Sequence, residues 1–208
     1  MKKQKFYFLW ISIICIILFI LQITISGFTD LFKLSENALT MPWQFVTAIF
    51  LHGSLTHLVY NLFALIIFGI ILESTIGSKK FLSIFLVGGI IANIISFIWY
   101  PNALGASGGI MAIMGCLAIL RPTMAVWAFG MILPMFIVAI LWVTGSVIGI
   151  FGFGDQGTGH LAHLLGLIVG ILYGIYLRIS SKKLKTGYQR KIKIPESSMR
   201  NWEDYHMR

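Results

Sequence analysis

The sequence predicts an all-α polytopic membrane protein, a bundle of six transmembrane helices. Three observations lead there. The chain is 58% hydrophobic and only 11% charged, with a mean hydropathy of +0.88, where a soluble domain carries roughly 25% charged residues. Apolar runs of spanning length recur along it. The few polar residues inside those runs fall at a small number of places. A chain of 208 residues cannot hide so much apolar surface in its own core, so its solvent must be lipid. The length suits one membrane domain, residues 1–178, followed by a basic tail, residues 179–208.

A spanning helix needs about 20 apolar residues. The first run, residues 6–25, follows Lys2, Lys3 and Lys5. A signal peptide also begins this way, but its apolar core is about 7–15 residues, so an uncleaved anchor is expected. The second run covers residues 55–72 and the third 81–99. The fourth, 107–120, is short. The fifth, 123–149, is interrupted by Pro134 and several glycines, and the sixth covers 159–177. Residues 31–50 are too apolar for an ordinary loop, with Met41, Pro42, Trp43, Phe45 and Phe50. They are expected in the outer interface, with Trp43 at headgroup level. The tail from about Ser180 has no clear period and reads as a solvated or interfacial extension.

The formal charge of +9 is a topology signal. Lys2, Lys3 and Lys5, then Lys79 and Lys80, then Arg121, then Arg178, Lys182, Lys183 and Lys185 all fall on one side of a six-span topology. Lys33 lies on the other side, beside Asp30 and Glu36. The positive-inside rule then places both termini in the cytoplasm, with the tail drawn to anionic lipid rather than to nucleic acid. Cys15 and Cys116 sit within apolar runs and read as small core hydrophobes, not as a disulfide or metal site.

Ionisable and polar groups at membrane depth are costly and usually functional. Here they occupy three places: His52, His57 and Asn61 at the entry of the second span, Ser107 at the start of the fourth, and His160 and His163 at the start of the sixth. All three lie on the outer side. At 1.5 Å per residue the fourth span covers about 21 Å of a hydrocarbon core about 30 Å thick. With Arg121 at the inner boundary, Ser107 lies roughly 10 Å below the outer surface. The segment 100–106 must then dip into the membrane, which irregular backbone tolerates only beside protein or a water-filled cavity.

A serine hydroxyl becomes a nucleophile when a base takes its proton, and His163 is the candidate base and later general acid. No Asp or Glu lies at this depth in the polar-bearing spans, so a Ser-His dyad is expected. The Ser107 N–H, at a helix N-terminus, has no intrahelical partner and is suited to hold an oxyanion. His57 and Asn61, four apart, share a helix face and donate to the same oxygen. Gly166, Gly170 and Gly174 repeat on the His163 face, and Gly108 and Gly115 on the Ser107 side. Small residues at this spacing let membrane helices approach closely. A zinc site built from His160/His163 and His52/His57 is the competing reading. It lacks the Glu that accompanies such pairs in the HExxH pattern, and neither metal nor cofactor is expected. A small transporter is a further alternative, but the chain lacks the internal repeats such proteins carry.

These residues resemble the rhomboid intramembrane serine proteases over about residues 41–177. The first signature is Trp43-Gln44, then His52-Gly53-Ser54-Leu55-Thr56-His57-Leu58-Val59-Tyr60-Asn61, then Gly69, Glu73 and Gly77-Ser78. The second is Gly105-Ala106-Ser107-Gly108 with Ala112 and Gly115, and the third His163-Leu164-Leu165-Gly166-Leu167 with Gly170. The resemblance implies a rhomboid-like six-helix fold, Ser107 as nucleophile, His163 as base, and His57, Asn61 and the Ser107 N–H as oxyanion hole. It implies transmembrane protein substrates cut in or near a span, no obligate partner, a fifth span and loop 149–158 acting as gate and cap, and a prokaryotic plasma membrane. A non-catalytic, rhomboid-like binder of membrane segments is the alternative. His52 and His160 are expected as cavity residues. Two positions depart from the family. Gln44 stands where relatives commonly have arginine, which puts the folding of the first loop in question. Met111 stands where relatives often place an aromatic against the histidine.

Overall fold

The computed structural model describes residues 5–99, 102–151 and 159–191, with side chains described to residue 180. The chain divides into two compact units, residues 1–175 and 176–208. The first unit holds the helices α1 (Tyr7–Thr24), α2 (Phe28–Phe32), α3 (Gln44–Thr47), α4 (Leu55–Ile76), α5 (Ser78–Ser96), α6 (Ser107–Leu120) and α7 (Met135–Ile150), and most of the apolar part of α8 (His160–Lys191). Between α6 and α7 lies a hairpin of β1 (Ala125–Ala128) and β2 (Met131–Pro134). In the second unit the helix runs on to Lys191, into the tail that the sequence reads as a solvated or interfacial extension.

The protein is a helical membrane protein. Helices α1, α4, α5 and residues 160–180 of α8 are long and apolar enough to cross a bilayer, while α6 and α7 are shorter apolar helices. One expected span folds differently. Residues 123–149 are not one interrupted helix. Ala125–Pro134 forms an antiparallel hairpin, Ala125 opposite Pro134 and Ala128 opposite Met131. Its turn residues Phe129 and Gly130 both have positive φ, 53° and 79°, the backbone sign that two-residue hairpin turns require. Pro134 ends the strand and caps α7 rather than kinking it, as its fixed φ and missing N–H favour at a helix entry.

The start of α1 is tied down by a buried carboxylate. Glu73 of α4 is fully buried and accepts hydrogen bonds from the Tyr7 N–H at 3.0 Å and the Phe8 N–H at 3.1 Å. It satisfies two of the orphan donors of the first turn, at the positive end of the helix dipole. The Lys5 N–H donates to Ser78 Oγ beside it. Glu73→Ala strands both N–H groups in an apolar setting, at about 1–3 kcal/mol each. A fall in the thermal midpoint in detergent, measured by light scattering or cysteine reactivity, is the expected result.

The region between α1 and α4 is built around Gln44. Its side chain is fully buried. Its Oε1 accepts from the Ser35 N–H at 3.1 Å and from Ser35 Oγ at 2.8 Å, and its Nε2 donates to the Leu31 carbonyl at 3.3 Å. The uncharged amide thus supplies donor and acceptor together and brings no buried charge, so the first loop is organised without the arginine. Leu34, Ala38 and Ala48 form a small core there, covered by Phe45, Phe97 and Ala103. Asn93 of α5 donates to the Phe45 carbonyl at 3.0 Å. Trp43 is half-exposed and donates its indole N–H to the Leu31 carbonyl.

Candidate active site

Glycines bring the site helices together. A methyl carbon added at Gly166 would land on the Gly108 carbonyl oxygen, and one at Gly170 on the Ala112 carbonyl oxygen. At Gly174 it would sit 3.1 Å from the Cys116 carbonyl oxygen, and at Gly115 it would strike the Leu167 carbonyl oxygen. Helices α6 and α8 therefore meet backbone to backbone along their length, as the four-residue spacing predicts. On its other side α6 rests on α5, where a methyl carbon at Gly108 would lie 2.8 Å from the Ala92 Cβ. Ser107 and His163 flank the Gly108–Gly166 contact, one at the start of α6 and the other in the first turn of α8.

Ser107 is half-buried and is the first residue of α6. Ala106 before it supplies no side-chain cap, so the first-turn N–H groups remain available to an anion. Irregular backbone leads into this point, and it is held by the first loop. Leu34 and Ala103 exchange backbone hydrogen bonds of 3.0 and 3.2 Å, and the Gly105 N–H donates to the Ala48 carbonyl at 2.9 Å. Gly105 has φ of +137°, open to glycine alone among ordinary residues. A methyl carbon there would lie 2.9 and 3.0 Å from His57 Cε1 and Nε2, and 3.8 Å from Ser107 Oγ. The missing side chain of Gly105 thus lets the His57 imidazole lie close against this backbone, with the Ser107 hydroxyl nearby. Tyr100 and Pro101, in the segment expected to dip, lie outside the described residues.

His57 sits in the first turn of α4, whose cap Ser54 accepts from the His57 N–H at 3.1 Å. Asn61 follows one turn later, is buried, and donates Nδ2 to the His57 carbonyl at 2.9 Å. An amide nitrogen carries two protons, so this bond leaves one for another acceptor. His52 is buried, its ring edge-on to that of His57 at 5.2 Å between centroids. Gln22 of α1 fixes its backbone, accepting from the His52 N–H at 3.0 Å and donating to the His52 carbonyl at 3.1 Å. His52 precedes the span. Burial above all, with His57 nearby, lowers its imidazole to about 4 against the opposing pull of the Phe50 carbonyl, so it is neutral at neutral pH.

His163 is buried. Its ring stands perpendicular to that of Trp142 on α7, 6.0 Å between centroids, and to that of His160, 6.3 Å away. Its Nδ1 has no hydrogen-bond partner among the described residues. Met111, on α6, is buried. Among the described residues no three His, Cys, Asp or Glu side chains gather as metal ligands. The gate-and-cap loop expected at 149–158 falls mostly outside the described residues, which resume at Gly159.

Sequence reasoning passed over Gln22 and Trp142 and gave Gly105 no role of its own. A glycine two residues before a candidate nucleophile is a usable signal for close approach. Gln22 and Trp142 carry none, because their partners lie 30 and 21 positions away.

Comparison with known proteins adds to this geometry. A family model described as Rhomboid domain matches residues 39–180. The chain is 33% identical over 178 residues to "Rhomboid protease GluP" of Bacillus subtilis, covering 81% of this chain and 34% of that protein. It is 29% identical over 149 residues to "Rhomboid protease GlpG" of Haemophilus influenzae, covering 71% of this chain and 74% of that one. With "Rhomboid protein 1, mitochondrial" of Saccharomyces cerevisiae it shares 28% over 173 residues, 76% of this chain and 48% of the relative. The chain thus spans between about a third and a half of the length of the first two relatives, at 34% and 48%.

Proposed function

The chain belongs to the rhomboid family, and on that premise we propose that it is an intramembrane serine endopeptidase working through a Ser107–His163 dyad. The observation that carries the proposal is the close approach at Gly105, where the His57 imidazole and the Ser107 hydroxyl both come within 4 Å of one point beside the backbone. Relatives named as proteases, in Bacillus and Haemophilus, support the reaction class.

In the proposed reaction His163 takes the Ser107 proton as Oγ attacks the scissile carbonyl carbon. The carbonyl electrons move to oxygen, and the resulting oxyanion is held by the Ser107 N–H, His57 and the second proton of the Asn61 amide. Collapse breaks the C–N bond, and His163 returns its proton to the leaving amine. Water then attacks the Ser107 ester and gives a proton to His163; collapse breaks the C–Oγ bond as His163 returns that proton to Oγ, releasing the carboxylic product and restoring the serine. The substrates are other membrane proteins, cut in or near a transmembrane segment. By the distribution of basic residues, the segments before the first span and after the sixth face the cytoplasm.

Asn61 is one donor among several, so Asn61→Ala is expected to lower kcat by about 10²–10³, equivalent to about 2.7–4 kcal/mol. Ser107→Ala removes turnover altogether, and equal losses in the two variants would remove Asn61 from the oxyanion hole. A fluorophosphonate probe tests the nucleophile directly. Peptide mapping should place the label on Ser107 in the wild type and find none in Ser107→Ala. Folded protein that takes no label, yet binds membrane segments, would instead identify a non-catalytic binder.

A further inference from the structure

We propose that Trp142 of α7 is the positioning residue for His163, holding the imidazole at the angle from which it serves Ser107. The inference rests on the dyad reading above. The close approach of α6 and α8 fixes where the His163 backbone lies, but not the rotation of its ring. In serine hydrolases with a triad, a carboxylate bonded to Nδ1 sets that rotation. Here the His163 Nδ1 is buried with no hydrogen-bond partner among the described residues. The residue one turn after the serine, Met111, is flexible and unbranched.

Rings define the orientation instead. Trp142 stands at 88° to the imidazole with centroids 6.0 Å apart, within the range of a favourable edge-to-face pair. The indole also lies against Phe129 at the turn of the hairpin, 5.9 Å between centroids and tilted by 45°. Tryptophan has only two side-chain torsions, so a packed indole is a rigid stop. Helix α7 reaches the second imidazole as well. Gly149 presents bare backbone to the His160 ring, so closely that a methyl carbon there would overlap it. His160 in turn stands at 86° to His163. Both imidazoles of α8 therefore lean on α7, a helix that buries only Met135, Val138, Ala139 and Ser146 of its sixteen residues. Through Trp142, the readiness of the dyad depends on where α7 sits.

The test compares wild type with Trp142→Leu and Trp142→Phe in proteoliposomes carrying a cleavable membrane substrate, with Ser107→Ala as the blank. Trp142→Leu should lower kcat by about tenfold with KM changed by less than about twofold, the size of a lost aromatic pair. It should also move the pH midpoint of kcat. Trp142→Phe, which keeps a ring, should restore most of the rate and the wild-type midpoint. An unchanged or raised kcat in Trp142→Leu overturns the proposal, as does a change in KM alone, or a Phe variant as slow as Leu. A second readout needs no turnover. Protonated imidazole quenches a neighbouring indole, so the pH-dependent fluorescence lost in Trp142→Phe should also be lost in His163→Asn. A titration that survives His163→Asn rules out the contact whether or not the chain is a protease. Wild type no more active than Ser107→Ala would instead overturn the dyad reading, with the contact judged by fluorescence.

Discussion

Gly166→Val is expected to abolish cleavage and to lower the thermal midpoint of the protein in detergent. The branched side chain must enter where the Gly108 carbonyl already stands, and that neighbour is backbone, not a side chain able to swing aside. Overpacking a tight contact costs about 1–3 kcal/mol even where side chains adjust. Here α8 must move off α6 by the width of a methyl group or more. Such a displacement carries His163 away from Ser107, and a misplacement of about 1 Å costs on the order of 10²-fold in rate. Gly170→Val should behave alike, since it meets the Ala112 carbonyl. Gly145→Ala is the control. Nothing lies within 4 Å of that position, so the substitution should leave both midpoint and rate near those of the wild type. Equal effects at Gly145 and Gly166 would show that the glycines matter for helix propensity and not for close approach.

His163→Ala is the second large effect. The variant retains Ser107, but the hydroxyl has no base, and cleavage should drop to the background of Ser107→Ala. Groups that act as one unit are not additive. The double variant should therefore be no slower than either single one, whereas independent contributions would multiply. Initial rates on a single reconstituted substrate decide between the two. Because the backbone at Ala162 and Gly166 meets α6 at Gly108 whatever the residue at 163, the midpoint of His163→Ala should fall far less than that of Gly166→Val.

The order of apolar segments was legible because lipid demands long runs, and composition alone reveals them. The glycines of α8 were legible for a similar reason, since four-residue spacing projects them onto one face. The hairpin was not. Residues 125–134 are as apolar as a helix, and in a membrane protein hydrophobicity hides the difference between helix and strand. Arg121-Pro122 and the Phe129-Gly130 turn were the available signs. Gln44 shows a different limit. Its departure from the family pattern suggested a weakened first loop, yet one amide bonded to Ser35 and Leu31 holds that loop. A motif position records which residue is usual, and the hydrogen bonds it must make can be met in another way. Trp142 lay beyond reach for a third reason. A tryptophan in an apolar run looks like any lipid-facing residue until the fold turns it toward α8.

The most direct measurement is the cleavage of a model transmembrane substrate in proteoliposomes by the wild type and by Ser107→Ala, with the products identified by mass spectrometry. Discrete cleavage in or near the transmembrane segment is expected from the wild type and none from Ser107→Ala, with both proteins equally folded. Cleavage of the same bond at the same rate by Ser107→Ala would contradict Ser107 as the nucleophile.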